Sequence, residues 1–207
     1  PMIQPIQIRN VEIGSGVPKV IVPIVGKTEE AILAKAGEIA SMPIHTVEWR
    51  VDFYDDVFDT EKTLATLKKL RCALGTLPLL FTFRTKKEGG EKEITMEQYT
   101  ALNLAVAASG DADLIDVEIF SGDGVVKANI DGIHKAGALV VGSNHDFFAT
   151  PERDAIVSRL RKMQEMGADI PKIAVMPKST ADVLTLLAAT AEMHETYADR
   201  PIITMSM

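Results

Sequence analysis

The feature that most constrains the fold of this 207-residue chain is a regular alternation of strand-like and helix-like segments. From about residue 20 onward, short apolar runs typical of buried strands alternate with segments of helical pattern, and no long linker separates them. Such alternation predicts a parallel sheet with helices packed against it. A short hairpin is predicted before this sheet, at residues 6–13. The predicted strands of the sheet are 20–25, 46–51, 79–83, 113–118, 138–143, 170–176 and 201–205.

Residues with strong preferences for helix ends mark where several of the predicted helices begin. Thr95 and Gln98 have the spacing of a capping box, in which each side chain bonds a backbone N–H of the other. Thr28 and Ser179 are predicted N-caps. Pro151 is predicted at the first position of the fifth helix, where its missing N–H would be unbonded in any case.

Two architectures fit this alternation: an open doubly wound sheet and a closed eight-stranded barrel. The open sheet usually binds a nucleotide through a glycine-rich first turn, but the first turn here, residues 24–28, lacks that pattern. The second to fifth strands each have one apolar face, and their other face becomes polar toward the C-terminal end. That pattern favours a barrel, whose C-terminal mouth carries the active site. We therefore predict an α/β fold, a (β/α)8 TIM barrel with only about seven βα units in this chain, plus the N-terminal hairpin.

Ionisable side chains recur on the face that would line the barrel. Any one of them alone could belong to a structural ion pair. Because they share equivalent faces of neighbouring strands, we interpret them together as a functional cavity. They are Glu48, Arg50, Arg84, Asp116, Glu118, His145 and Lys172.

Lys172 is the one charged residue in an otherwise apolar strand, 170–176. An unpaired ammonium in a protein interior costs several kcal/mol, and the usual consequence is a lowered lysine pKa. A lysine of lowered pKa is a nucleophile toward carbonyl groups. The alternative is a core lysine paired with Glu48 or Asp116.

His145 lies just past the fifth predicted strand, where an imidazole could act as a general base near neutral pH. Glu88 belongs to the charged loop 85–91, and Gly89 and Gly90 could let that loop bring the carboxylate over the mouth to orient His145. The alternatives are an ordinary loop histidine and a solvated connection. No other histidine has metal-ligand spacing with His145, so no metal site is predicted.

Composition limits the expected binding partners and cellular compartment of the chain. The formal net charge is −7 and no basic run is present, which makes nucleic acid a poor partner. No apolar run reaches the length of a membrane span, and no signal peptide is recognised, so neither a membrane nor secretion is expected. The single cysteine, Cys72, excludes an internal disulfide and fits a reducing, cytoplasmic compartment, and we expect it to be a small core residue. The chain begins at Pro1 without an initiator methionine, which we interpret as an N-terminus that has been processed or trimmed.

Five segments in order along nearly the whole chain resemble type I 3-dehydroquinate dehydratase. They are 48–52 (EWRVD), 81–84 (FTFR) with 88–90 (EGG), 143–147 (SNHDF), 171–174 (PKIA) and 203–207 (ITMSM). The resemblance implies a Schiff-base-forming (β/α)8 enzyme of the shikimate pathway, usually a homodimer. Its substrate would be 3-dehydroquinate, converted to 3-dehydroshikimate and water without metal or cofactor.

The resemblance also implies roles for single residues. Lys172 matches the lysine that forms the imine, His145 the general acid/base, and Glu88 the carboxylate that orients the histidine. The remaining matches concern substrate binding. Arg50 and Arg84 would hold substrate oxygens, Glu48 would accept from a hydroxyl or from the region of the lysine, and Met205 and Met207 would form the wall beside the ring.

This chain departs from the family pattern at its end. Members of the family continue with a further helix, an eighth strand and a closing loop that carry an arginine, a serine and a glutamine for the substrate. We therefore expect residues 1–207 to be a single barrel domain, truncated at its C-terminus. Pro23 stands where some members have a serine. Two other functions stay open: another Schiff-base aldolase or lyase, and an inactive fragment.

Overall fold

Strands and helices alternate along the chain in the order that the sequence predicts. The computed structural model describes residues 2–207, so Pro1 lies outside the described part. The strands are β1 Ile6–Ile8, β2 Val11–Ile13, β3 Ile21–Ile24, β4 Thr46–Arg50, β5 Leu79–Thr82, β6 Leu114–Glu118, β7 Leu139–Asp146, β8 Ile170–Val175 and β9 Ile203–Ser206. The α-helices are α1 Glu29–Ile39, α2 Thr60–Ala73, α3 Met96–Ser109, α4 Asp123–Lys135, α5 Arg153–Glu165 and α6 Thr180–Glu192.

The main sheet has seven parallel strands in the order β3-β4-β5-β6-β7-β8-β9. Each strand therefore pairs with the strand that follows it in the chain. A doubly wound sheet would instead reverse its order at a switch point, where its ligand binds. The sequential order is that of a TIM barrel, so the predicted fold class is confirmed, with seven strands forming a curled part of the barrel wall.

The two faces of the sheet have different partners. Residues such as Trp49, Phe81 and Val117 point outward and are fully buried in the main core beneath the helices. Alternate residues line the inside, and near the strand starts they form a second, smaller core. That inner core consists of Leu80, Leu114, Val141 and Ile170, together with Ile8 from the hairpin.

The predicted hairpin is confirmed and covers the N-terminal end of the barrel interior. β1 and β2 pair antiparallel, with Ile6 opposite Ile13 and Ile8 opposite Val11. Ile8 is buried in the inner core, and Ile6 and Ile13 pack against it. Because this end is filled by apolar side chains, the polar residues of the interior lie toward the other end, at the strand C-termini.

The observed helix ends can be compared with the predicted capping residues. The Thr95–Gln98 capping box is present with both reciprocal bonds, and Thr28 and Ser179 act as N-caps. The prediction for Pro151 is wrong: α5 begins at Arg153, and residues 150–152 have no helical assignment. The reason is a tertiary contact, since the Thr150 hydroxyl donates to the Met176 carbonyl at 2.9 Å and holds this segment beside the end of β8.

Cys72 also departs from its prediction, because its side chain is exposed on α2 rather than buried in the core. The buried stripe of α2 is formed by Thr63, Thr66, Leu67, Leu70 and Arg71, which leaves the next position facing outward. Separately, none of the helices within residues 2–207 has both the length and the apolar character that crossing a membrane would need.

Candidate active site

Arg84, two residues past the end of β5, is the centre of a buried ionic cluster. Its Nη1 and Nη2 donate to Oδ1 and Oδ2 of Asp116 at 3.0 and 3.1 Å. Nη1 also lies 2.8 Å from Oε2 of Glu118 and 3.2 Å from the Ser143 hydroxyl. The three ionic side chains are 3, 0 and 1 % exposed, respectively. One guanidinium thus holds two carboxylates together inside the barrel.

The electrostatics of this cluster follow from burial and from close opposite charges. Burial by itself lowers the pKa of Arg84, but Asp116 and Glu118 outweigh it and hold that pKa well above its ordinary value. Burial likewise tends to raise the pKa of Asp116, but the Arg84 guanidinium outweighs it and lowers the pKa. Arg84 and Asp116 therefore remain charged at any physiological pH.

A second layer of hydrogen bonds holds the two carboxylates in place. Glu118 accepts from the Thr85 hydroxyl at 2.6 Å and from the Thr85 backbone N–H at 3.0 Å. Ser143 donates to Asp116 Oδ1 at 2.7 Å. The Tyr99 hydroxyl, on α3, donates to the Asp116 carbonyl and accepts from the Glu118 N–H. Thr85 and Tyr99 carried no sequence signal of a role, because only the folded structure brings them to β6.

Asp52 fastens the ends of β4 and β5 to the loop that follows β5. Its carboxylate is fully buried and accepts from Arg50 Nε and Nη2 at 2.8 and 2.9 Å. It also accepts from the backbone N–H groups of Arg84 and Glu91, at 3.2 and 3.1 Å. Arg50 is therefore held at the mouth by Asp52, with its guanidinium 5.1 Å from the ring centre of Phe53.

Glu48 lies deeper in the same wall. The Thr82 hydroxyl, on the neighbouring β5, donates to Glu48 Oε2 at 2.8 Å. The residue is only 9 % exposed. Among residues 2–207, Thr82 is the one hydrogen-bond donor to the Glu48 carboxylate, so Oε1 has no donor from the protein.

Glu88 and His145 come together over the mouth, although 57 residues separate them in the chain. Oε1 of Glu88 accepts from the His145 backbone N–H at 2.9 Å and lies 3.1 Å from the imidazole Nδ1. The tight turn after Glu88 makes this approach possible. Gly89 has a φ of +94°, and a Cβ at Gly90 would overlap the carbonyl oxygen of Arg84.

Burial shifts the titration of both partners in this pair. Burial and the nearby Arg84 and Lys172 lower the pKa of His145 to about 2. Burial and the charge of Glu118 raise the pKa of Glu88 to about 8. Groups this close titrate as a unit. Near neutral pH both shifts favour an uncharged pair, in which Glu88 is protonated and the imidazole of His145 is neutral.

Lys172 occupies the inward face of β8, beside Ser143 of β7 and Ile203 of β9. Its side chain is half-buried. Within residues 2–207, no carboxylate oxygen lies within the 4.0 Å of an ion pair with its Nζ. The alternative of a core lysine salt-bridged to Glu48 or Asp116 is therefore not what the structure shows.

The last strand supplies the methionines. Met205 lies beside Ala174 in the register of β9 with β8 and is 45 % exposed. Met207 donates its backbone N–H to the Val175 carbonyl at 2.9 Å and is half-buried. In the part of the chain that the structure describes, no group of three or more potential metal-binding side chains is assembled.

The sequential parallel sheet and its polar C-terminal mouth define the class: a TIM-barrel protein whose interior is built for a small polar molecule. Residues 20–207 match the family model for type I 3-dehydroquinase, and the chain belongs to that family. The resemblance drawn from the sequence is thereby confirmed.

Relatives at high identity cover almost the whole chain. A 3-dehydroquinate dehydratase of Clostridium botulinum is 52 % identical over 202 residues, which are 98 % of this chain and 80 % of the relative. Among solved structures, the type I 3-dehydroquinate dehydratase of Clostridium difficile is 49 % identical, with a TM-score of 0.98 over 100 % of this chain and 82 % of that one. The Enterococcus faecalis enzyme is 46 % identical, with a TM-score of 0.94 and coverages of 100 % and 85 %.

Proposed function

We propose that this chain is a 3-dehydroquinate dehydratase that works through a Schiff base on Lys172. The observation that carries the proposal is the placement of three groups on adjacent elements: Lys172 on β8, His145 on β7, and Glu88 bonded to His145. The high-identity relatives that bear this name support the reaction. The structure from Clostridium difficile contains covalent modified comenic acid, which is consistent with a nucleophile in this family.

In the proposed reaction, the neutral amine of Lys172 attacks the substrate ketone, a carbon–nitrogen bond forms, and the ketone oxygen leaves as water. The protonated imine that results is a much better electron sink than the ketone. His145 then removes a proton from the carbon next to the imine, the C–H electron pair forms a C=C bond, and the C=N π electrons move onto nitrogen to give an enamine. The enamine returns its electrons, the neighbouring hydroxyl leaves with a proton from His145, and water releases the product from Lys172.

The substrate-binding roles rest on which polar atoms remain free. Glu48 keeps one carboxylate oxygen for a substrate hydroxyl, and Arg50 keeps Nη1, because its other two nitrogens bond Asp52. Arg84 has fewer free donors, since Asp116 and Glu118 occupy it. We therefore assign Arg84 mainly an electrostatic role and Met205 a place in the wall of the pocket.

The setting of the enzyme stays part of the proposal. We infer a step of the shikimate pathway, a cytoplasmic location and a homodimer from the family resemblance. We also infer that residues 1–207 belong to one barrel domain.

The test is to trap the imine. The protein is incubated with 3-dehydroquinate, reduced with borohydride, digested and mapped by mass spectrometry. We expect one adduct, on Lys172, absent from the variant Lys172→Met and retained in the matched control Lys178→Met, whose lysine is exposed after β8. An adduct on another residue, or a folded wild-type protein without an adduct, would contradict the mechanism. Turnover measured in parallel separates an active enzyme from an inactive fragment.

A further inference from the structure

The buried cluster around Arg84 carries more negative than positive charge. Asp116 and Glu118 are both almost fully buried, and both bond the single guanidinium of Arg84. With both carboxylates ionised, the cluster has a net charge of −1. An uncompensated charge inside a protein is costly, so a buried surplus of this kind indicates a neighbouring cation.

The charged groups that face this cluster can be followed element by element. β4 supplies Glu48, and its Arg50 is already matched by Asp52. The loop after β5 supplies Glu88. The remaining neighbours, on β7, β8 and β9, are His145, Lys172 and the uncharged pair Ile203 and Met205.

Among these groups, Lys172 is the cation that has no salt-bridge partner. Within the described chain it has no ion-pair partner inside 4.0 Å. Its neighbour in the sheet register is Ser143, and the Ser143 hydroxyl donates to Asp116 Oδ1 at 2.7 Å. On β6 the register partner of Ser143 is Glu118, but the Ser143 hydroxyl bonds Asp116, so Ser143 lies between the Asp116 carboxylate and Lys172 on the inward face.

The two carboxylates of the cluster face different neighbours. Glu118 is fastened to Thr85 by two hydrogen bonds, and its charge raises the pKa of Glu88. Asp116 is turned toward Ser143, and after burial and Arg84, Lys172 is the next charge that shifts its pKa. The hydrogen bonds thus turn Asp116 toward β7 and Glu118 toward Thr85, and the charge of Asp116 also acts on the pKa of His145.

We propose that Asp116 is a positioning residue whose fixed negative charge keeps the Schiff-base nitrogen on Lys172 protonated. The inference rests on the proposed function, because it requires the imine. An imine nitrogen is a weaker base than the amine it comes from, and only its protonated form accepts the electron pair of the breaking C–H bond. A carboxylate held on β6, with β7 between it and Lys172, stabilises that cation without bonding the substrate.

The experiment measures the protonation of the imine instead of turnover. The protein is mixed with 3-dehydroquinate over a pH series and trapped with cyanoborohydride, which reduces protonated imines, and the adduct is quantified by intact mass. In the wild type the yield falls at high pH as the imine loses its proton. In Asp116→Asn we expect this high-pH decline in adduct yield, called the upper limb below, to move to lower pH by about 1 to 2 units. That is the effect of removing one close charge in a partly buried site.

Two further variants separate the charge from the structure. Glu118→Gln also removes one carboxylate from Arg84, but the Glu118 carboxylate is bonded to Thr85, which follows β5, on the side of β6 opposite to β7 and β8. The high-pH decline of its adduct yield should therefore stay within about 0.3 pH units of the wild type. Asp116→Asn keeps Arg84 paired with Glu118, which favours folding. If it nevertheless does not fold, Asp116→Ser removes the same charge and should give the same shift. Asp116→Glu, which restores the charge, should restore the limb.

The outcomes distinguish this inference from the function it rests on. A wild-type protein with no adduct at any pH overturns the Schiff-base mechanism and this role with it. A normal wild-type adduct whose limb is unmoved in the neutral Asp116 variants, or equally moved in Glu118→Gln, overturns only the role of Asp116.

Discussion

Substituting Gly90 by alanine should loosen the turn that carries Glu88 to His145. A Cβ at Gly90 would overlap the carbonyl oxygen and carbon of Arg84, which are backbone atoms at the centre of the buried cluster. Inserting one methyl group into a packed site costs about 1 to 3 kcal/mol. We expect the upper end, about 3 kcal/mol, because the overlapped atoms cannot rotate aside as a side chain would.

That cost can be measured as a change in melting temperature. In a domain of this size, each kcal/mol lowers Tm by about 2 to 4 °C, so the Gly90→Ala variant should melt about 6 to 12 °C below the wild type. The chain can relieve the overlap only by moving the turn, which draws Glu88 away from the Nδ1 and N–H of His145. We therefore also expect a lower kcat in the variant at temperatures where it is folded.

The control is Gly37→Ala, at an exposed position in the last turn of α1, where a Cβ meets nothing within 4 Å. Alanine is a better helix former than glycine, so this change should raise stability by up to about 1 kcal/mol. Circular dichroism melts and steady-state turnover of the three proteins complete the comparison. If Gly90→Ala melts within a degree of the wild type, the packing argument for this turn is refuted.

Three other variants probe the site. His145→Ala should still yield the borohydride-trapped adduct but lose most turnover, about 10²-fold or more, and near-normal kcat would remove His145 from its role. In the wild type, folded Glu88 keeps its proton to about pH 8 and unfolded Glu88 does not, so the free energy of unfolding falls by about 2 kcal/mol between pH 6.5 and 8. Glu88→Gln should remove this decline. Below pH 6.5 the lowered pKa of His145 makes stability rise with pH, so the denaturant titrations to compare are those at pH 6.5 and 8. An equal decline in the wild type and the variant would count against the raised pKa of Glu88. Asp52→Asn, which weakens charge-assisted bonds to Arg50, should raise KM about 10-fold with little change in kcat, whereas an unchanged KM would show that Arg50 needs no such support.

Local pattern was enough to predict the fold and the convergence of the site. The alternation of strands and helices determined a parallel sheet, and the two-residue period of each strand assigned His145 and Lys172 to the same interior. Their neighbourhood then followed from sequential pairing, which is the rule in this architecture.

The remaining features depend on distances that no local pattern encodes. The bonds that occupy Arg84 come from β6, more than 30 residues away, so the sequence could not show how few of its donors stay free. The predictions of a buried Cys72 and a helical Pro151 are wrong for a related reason. Each prediction used a local preference, whereas the buried stripe of α2 and the contact of Thr150 with β8 are tertiary.

The strictly sequential strand order has a consequence for how the site is assembled during synthesis. Chains emerge from the ribosome N-terminus first, and each βα unit here can pair with the one made just before it. The ionic cluster needs the chain only to Ser143, and the Glu88–His145 pair needs two residues more. Lys172 joins its wall last of the three proposed catalytic groups, with β8. The proposed nucleophile thus reaches a barrel wall in which Asp116, His145 and Glu88 are already in place.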